Sequence, residues 1–208
     1  VFLLCDLHVA GLLQYFEGQA QRMELYAEKF LTQAIKDHVP DVVDNQRGDV
    51  IFGSADLGRP LWVQSFANKF NTGIAFIRKA RQFNTTAVVG TPIGDVAGKR
   101  VIIYDDMVRS AGTLINAAES YKEHGATDVI AVLSHLALNN EEIVKTLERS
   151  CISLVISTNT HPMSNHPAVL ASKKFVICDV SPIFADTIRS IELFQEAAII
   201  SSSDAVNH

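Results

Sequence analysis

Residues 101–113 read VIIYDDMVRSAGT, and this stretch decides the fold. An apolar run over 101–104 ends in two adjacent carboxylates, Asp105 and Asp106, whose mutual repulsion serves no packing purpose. Ser110, Ala111 and Gly112 follow as a small-residue turn, and the next residues, LINAAESYKEHGA, have helical character up to Gly125 at the C′ position. A strand stopping at paired acids, a tight turn and a helix together form one unit of a parallel α/β sheet.

The same alternation extends in both directions. Strands are predicted at VFLLC (1–5), GDVIFGSA (48–55), GIAFIR (73–78), DVIAVLSHLAL (128–138), ISLVISTNT (152–160) and FVICDV (175–180). Helices are predicted at 21–38, ended by Pro40, and at 59–70, with Pro60 near its start. Further helices cover 139–150, with asparagine at its cap and acids in its first turn, and 181–197. The polar stretch 79–91 reads as a loop and SSSDAVNH (201–208) as a frayed tail. Strands without internal alternation, interleaved with helices, indicate a three-layer α/β/α fold around a mostly parallel sheet.

In such sheets ligands bind beyond the carboxyl ends of the strands. The informative segments are therefore 6–8, 54–58, 78–81, 105–113, 134–140 and 158–164, and nearly all are polar. In the 105–113 turn, successive N–H groups can point inward and the following helix adds its positive end, which favours a phosphate or pyrophosphate. The two carboxylates suit vicinal sugar hydroxyls, or Mg²⁺ held through water. A solvated strand end and a receiver-type acid pair are the other readings of this motif.

Composition narrows the classes. The chain has 208 residues, 48% hydrophobic and 20% charged, enough for a well-buried core. A net charge of −5 and a pI near 5.8 give no basic footprint for nucleic acid or an anionic membrane. No apolar run approaches the ~20 residues of a membrane span. Cys5, Cys151 and Cys178 lie in apolar strand-like runs without CxxC spacing, which suits buried thiols in a reducing cytoplasm. The opening at Val1, inside a hydrophobic strand, reads as a fragment whose earlier elements lie outside it.

VIIYDDMVRSAGT resembles the phosphoribosyl-pyrophosphate (PRPP) motif of type I phosphoribosyltransferases and of ribose-phosphate pyrophosphokinases, the PRPP synthetases. KEHGATDVIAVLSHLAL (122–138) is similar to the synthetase continuation, and CDLH (5–8) to a metal- and ATP-phosphate-binding turn that ordinary phosphoribosyltransferases lack. SADLG (54–58) resembles the turn whose aspartate helps hold the same magnesium. RKARQFN (78–84) resembles a flexible loop whose Lys-x-Arg closes over the transferring pyrophosphoryl group. The resemblance covers most of residues 3–190.

The resemblance implies a type I phosphoribosyltransferase-like fold. Residues 1–22 would be a strand and turn of the synthetase's first domain, 23–195 the phosphoribosyltransferase-like domain and 196–208 a tail. It further implies transfer of the β,γ-pyrophosphoryl group of Mg-ATP to ribose 5-phosphate, giving PRPP and AMP, by a cytoplasmic homo-oligomer, a dimer or hexamer. Asp105 and Asp106 would hold the ribose hydroxyls, with Arg109, Ser110, Ala111, Gly112 and Thr113 around the 5-phosphate. His8 and Asp56 would hold Mg²⁺, and Lys79 with Arg81 the transition state. Three departures stand out: Arg109 replaces an acid usual in the family's loop, Arg59 and Pro60 follow Gly58 where a second glycine is usual, and the 78–84 loop lacks the family's basic run and proline. Arg109 and Arg59 keep open a non-catalytic, synthetase-associated regulatory homologue; a PRPP-consuming phosphoribosyltransferase is the other alternative, against which DLH and the Lys-x-Arg loop speak.

Overall fold

The computed structural model describes all residues except 17, 19, 46–47, 56–59, 82–87 and 206–208. They fall into two compact units, Val1–Tyr26 with Asp179–His208, and Ala27–Cys178.

The larger unit is built on a seven-stranded sheet in the order β5-β4-β3-β6-β7-β8-β9. The strands are β3 (Val50–Ser54), β4 (Gly73–Arg81), β5 (Val88–Ile93), β6 (Arg100–Met107), β7 (Asp128–His135), β8 (Leu154–Thr158) and β9 (Phe175–Cys178). Only β5 runs antiparallel, at one edge, where a proline such as Pro92 is tolerated. Helices α3 (Gly112–Glu123), α4 (Glu141–Arg149) and α5 (Pro167–Ala171) cover one face. Their Leu114, Ala117, Tyr121, Val144, Leu147 and Val169 pack on Ile51, Val101, Ile103, Ala131, Leu133 and Val155.

The alternate residues of the same strands point to the other face, under α1 (Glu28–His38) and α2 (Pro60–Lys69). There Phe66 of α2 lies with its ring 5.8 Å from Phe52 and 4.8 Å from Tyr104, and Trp62 stacks on Tyr104. The two apolar faces make the expected three-layer α/β architecture.

Helix α3 ends as its sequence requires. Gly125 has φ +92° and donates to Lys122 O, and Ala126 N–H reaches back to Tyr121 O, which satisfies the last carbonyls. Asn140 caps α4 by accepting from Ile143 N–H at 3.3 Å.

The smaller unit holds β1 (Phe2–Cys5), β2 (Arg22–Leu25) and α6 (Ser181–Ala205). β1 and β2 form a parallel two-stranded sheet in which Phe2 pairs with Arg22 and Cys5 with Leu25.

Four expectations are corrected. Residues 21–38 are not one helix, because pairing with β1 draws Arg22–Leu25 into a strand and α1 starts only at Glu28. The acids do not stand beyond a strand end: β6 continues to Met107, which pairs with His135. Lys79–Arg81 is not loop but the end of β4, paired with the β-branched run of β5. Residues 201–205 continue α6 instead of fraying. Among the described residues no helix is long and apolar enough to cross a membrane.

Candidate functional site

The end of β6 carries the two acids. Because strand residues alternate across a sheet, Asp105 and Asp106 face opposite layers, and they are not a side-by-side pair. Asp106, on the Tyr104 side, is 2% exposed, whereas Asp105 is half-buried. Asp105 Oδ1 accepts the N–H of Asp106 at 2.9 Å, which holds one of its oxygens against the backbone.

The turn that follows is tied to the end of β7. Val108 N–H donates to His135 O at 3.2 Å, and Asn139 N–H to Arg109 O at 3.1 Å. Arg109 and Ser110 are exposed. Ala111 then takes a left-handed conformation, φ 61° and ψ −7°, although its methyl group is buried in the core. A non-glycine residue held there stores strain that the surrounding packing must over-determine, as is common in binding turns.

Helix α3 starts directly after it, with no side chain capping its first amides. A Cβ on Gly112 would meet no atom within 4 Å, so packing inside the chain does not require glycine there. A small residue, exposed amides and the positive end of a 12-residue helix make an anion cradle at Ser110–Thr113. The structure thus brings Asp105, Asp106, Arg109, Ser110, Ala111, Gly112 and Thr113 onto one strand–turn–helix unit.

His8 belongs to the smaller unit, where it is exposed. Its turn is held by Asp6, which the sequence places at the strand end, and by Glu24, which sequence reasoning missed. Asp6, buried and at φ 43°, donates its N–H to Leu25 O, and Glu24 Oε1 accepts Leu7 N–H at 3.1 Å. Tyr26 OH donates to the other oxygen of Glu24, and burial, then the Glu24 charge, raises the phenol above its ordinary range. Only the parallel β1–β2 pairing brings Glu24 to this turn, and reading 21–38 as a helix hid it.

Asp56, with Gly58 and Arg59, lies outside the described residues. The backbone of Lys79 and Arg81 lies in β4, in register with Gly90 and Val88, while their side chains are outside what the structure describes. Among the described residues no group of three or more His, Cys, Asp or Glu is placed to hold a metal ion.

The second missed group lies at the ends of β7 and β8. Thr158 Oγ1 donates to Ser134 O at 2.6 Å, Thr160 Oγ1 lies 2.8 Å from Thr158 Oγ1, and His135 Nδ1 lies 2.6 Å from Thr160 Oγ1. Tyr104 OH and Ser134 Oγ are hydrogen-bonded at 3.0 Å. The polarity of segments 134–140 and 158–164 was the available signal, but no spacing rule joins them.

A family model described as the phosphoribosyl synthetase-associated domain matches residues 86–199. The chain belongs to the ribose-phosphate pyrophosphokinase (PRPP synthetase) family. It is 32% identical over 204 residues to the ribose-phosphate pyrophosphokinase of Clostridium acetobutylicum, covering 93% of this chain and 60% of that protein. It is 33% identical over 203 residues to ribose-phosphate pyrophosphokinase 5 of Schizosaccharomyces pombe, covering 97% and 55%. The crystal structure of phosphoribosylpyrophosphate synthetase from Mycobacterium smegmatis superposes with a TM-score of 0.76 at 28% identity, over 91% of this chain and 57% of that one. This PRPP synthetase family member therefore spans little more than half of its relatives' length.

Proposed function

We propose that this chain supplies the ribose 5-phosphate side of a ribose-phosphate diphosphokinase, which transfers pyrophosphate from Mg-ATP to ribose 5-phosphate. The observation that carries the reading is the Ala111–Gly112 turn. A strained residue, a glycine that packing does not need and uncapped helix amides coincide in the turn that follows β6 and its two acids. A phosphate monoester would take the amides of Ser110–Thr113, with Arg109 beside it, and half-buried Asp105 would accept from a sugar hydroxyl, while Asp106, buried on the opposite layer, joins it on the family resemblance alone.

Lys79 and Arg81 would meet the charge that spreads over the transferring group, a point charge and a planar fork respectively. Mg²⁺ demands few protein donors when it arrives on nucleotide phosphates; by the family resemblance His8 and Asp56 would each offer it one donor, and the bound cation would offset phosphate charge. A cytoplasmic location and a homodimer or hexamer belong to the same proposal, the latter measured by sedimentation.

The test is to incubate the protein with Mg-ATP, ribose 5-phosphate and inorganic phosphate, and to measure AMP and PRPP. Equimolar AMP and PRPP are expected, and no product at saturating substrate removes the reading. The exposed Arg109, standing where the family's loop usually has an acid, favours a second reading as a non-catalytic companion of an active synthetase. Appearance of activity in Arg109→Asp, absent in the parent, would decide for it.

A further inference from the structure

At the ends of β7 and β8, Thr160 Oγ1 lies 3.3 Å from the Ser134 carbonyl, but three shorter contacts leave the hydroxyls one arrangement. Three short contacts need a hydrogen each: Thr158 Oγ1 to Ser134 O, Thr160 Oγ1 to Thr158 Oγ1, and His135 Nδ1 to Thr160 Oγ1. A threonine hydroxyl carries one proton, and a carbonyl none. If Thr160 donated to His135, either the 2.8 Å contact between the threonines or the 2.6 Å contact to Ser134 O would lack a hydrogen. Two oxygens at that separation without a proton repel. One direction alone fills all three contacts, from His135 Nδ1–H to Thr160, from Thr160 to Thr158, and from Thr158 to the Ser134 carbonyl.

His135 is joined to the candidate site by its main chain. Its carbonyl accepts Val108 N–H at 3.2 Å, and four residues later Asn139 N–H holds Arg109 O at 3.1 Å. These are main-chain anchors of the turn between Asp106 and Ala111. Thr158 and Ser134 are fully buried, so the far end of the relay is rigid.

We propose that the relay from His135 through Thr160 and Thr158 to Ser134 positions the 105–113 turn, with His135 a positioning residue locked as an Nδ1–H donor. The relay fixes the imidazole to the end of β8, which fixes the His135 carbonyl that holds Val108. The consequence for ligand binding rests on the reading of this turn as a ribose 5-phosphate site.

The experiment uses the ¹⁵N-labelled full chain, with Thr160→Val and Thr160→Ser. In the parent protein, imidazole ¹⁵N spectra are expected to show His135 protonated at Nδ1. Thr160→Val removes a hydroxyl at near-constant volume; it should speed amide exchange at Val108 and Asn139, and weaken ribose 5-phosphate about tenfold, while Thr160→Ser restores both. The amide of Ser153, which bonds to Val129 O where β8 begins, should exchange unchanged. An Nε2–H tautomer in the parent protein overturns the proposal, and that measurement needs no variant. So does unchanged Val108 exchange in Thr160→Val, or equal ribose 5-phosphate affinity in that variant when the parent binds. If the parent binds no ribose 5-phosphate while tautomer and exchange behave as expected, the relay stands and the reading of the turn as a sugar-phosphate site falls.

Discussion

The hydroxyl of Tyr121 stands 2.9 Å from where a Cβ on Gly53 would lie. That hydroxyl, carried by α3, donates to Ser54 O at 2.9 Å and lies 3.2 Å from Ala75 O. Burial pushes its pKa far above the ordinary phenol range, so it remains a donor at any working pH. The glycine in β3 therefore makes room for the group that ties α3 to the end of β3 and to the first residues of β4.

Gly53→Ala is expected to cost about 1–3 kcal/mol through overpacking, since Val101 Cγ1 also lies 2.9 Å away. Tyr121→Phe should cost about 1–3 kcal/mol by removing the buried hydroxyl's hydrogen bond to the Ser54 carbonyl. Urea unfolding of the singles and the double should show a double variant less destabilised than the sum, by at least about 0.5 kcal/mol, because phenylalanine frees the space the new methyl needs. Strict additivity would show that the two residues do not compete for that space.

Ala111 sets two opposing terms against each other. Its left-handed backbone costs about 1–2 kcal/mol relative to a relaxed residue, which glycine would recover. The same methyl group is buried, and losing it costs about 0.8 kcal/mol. Ala111→Gly should therefore leave the melting midpoint within a few degrees of the parent, whereas Ala111→Val, β-branched at positive φ, should lose about 2 kcal/mol or more. Thermal unfolding of both variants checks the balance, and a stable valine variant would contradict the strain.

What was legible in the sequence follows from what is local. The periodicity and Gly125 locate α3 and its end, and non-alternating strands such as VIIY announce a parallel sheet. The candidate turn was equally readable, because small residues and a helix start act within five positions of one another. What was lost depends on partners distant in sequence. RMEL becomes β2 only because β1 lies beside it, and KAR joins β4 only because Val88–Ile93 returns along it. The opposite orientation of Asp105 and Asp106 follows from β6 running on to Met107. Glu24, Thr160 and Tyr121 act across 17 to 67 positions, a range at which no spacing rule operates.

The Cys178 thiol is pushed up to about 11, first by burial and then by the charge of Asp37. The folded chain thus prefers the neutral thiol, while the unfolded chain ionises near the ordinary value. Stability from this group is complete below about pH 9 and is lost as pH rises from about 9 to about 11. Cys178→Ala should flatten the fall of unfolding free energy across that window by about 1 kcal/mol, allowing for the thiol's partial exposure. Denaturant titrations at pH 8, 9, 10 and 11 measure it, and parallel slopes for parent and variant would refute the assignment. Exposed Cys151 should be alkylated first at pH 8.

Lys79 offers the sharpest separation of chemistry from binding. It lies on β4 opposite Gly90, on a different segment from the Ser110–Thr113 cradle. Its proposed part is to meet charge that spreads over the transferring pyrophosphoryl group, and such an interaction strengthens only in the transition state. Lys79→Ala should then lower kcat by roughly 10²–10³, a loss of about 3–4 kcal/mol, while the Kd for ribose 5-phosphate stays within about twofold. Steady-state assays of AMP release, paired with calorimetric titration of ribose 5-phosphate, give the two numbers. Matching losses in both would mean that Lys79 holds the ground-state sugar phosphate, and the transition-state role would have to pass to Arg81 alone.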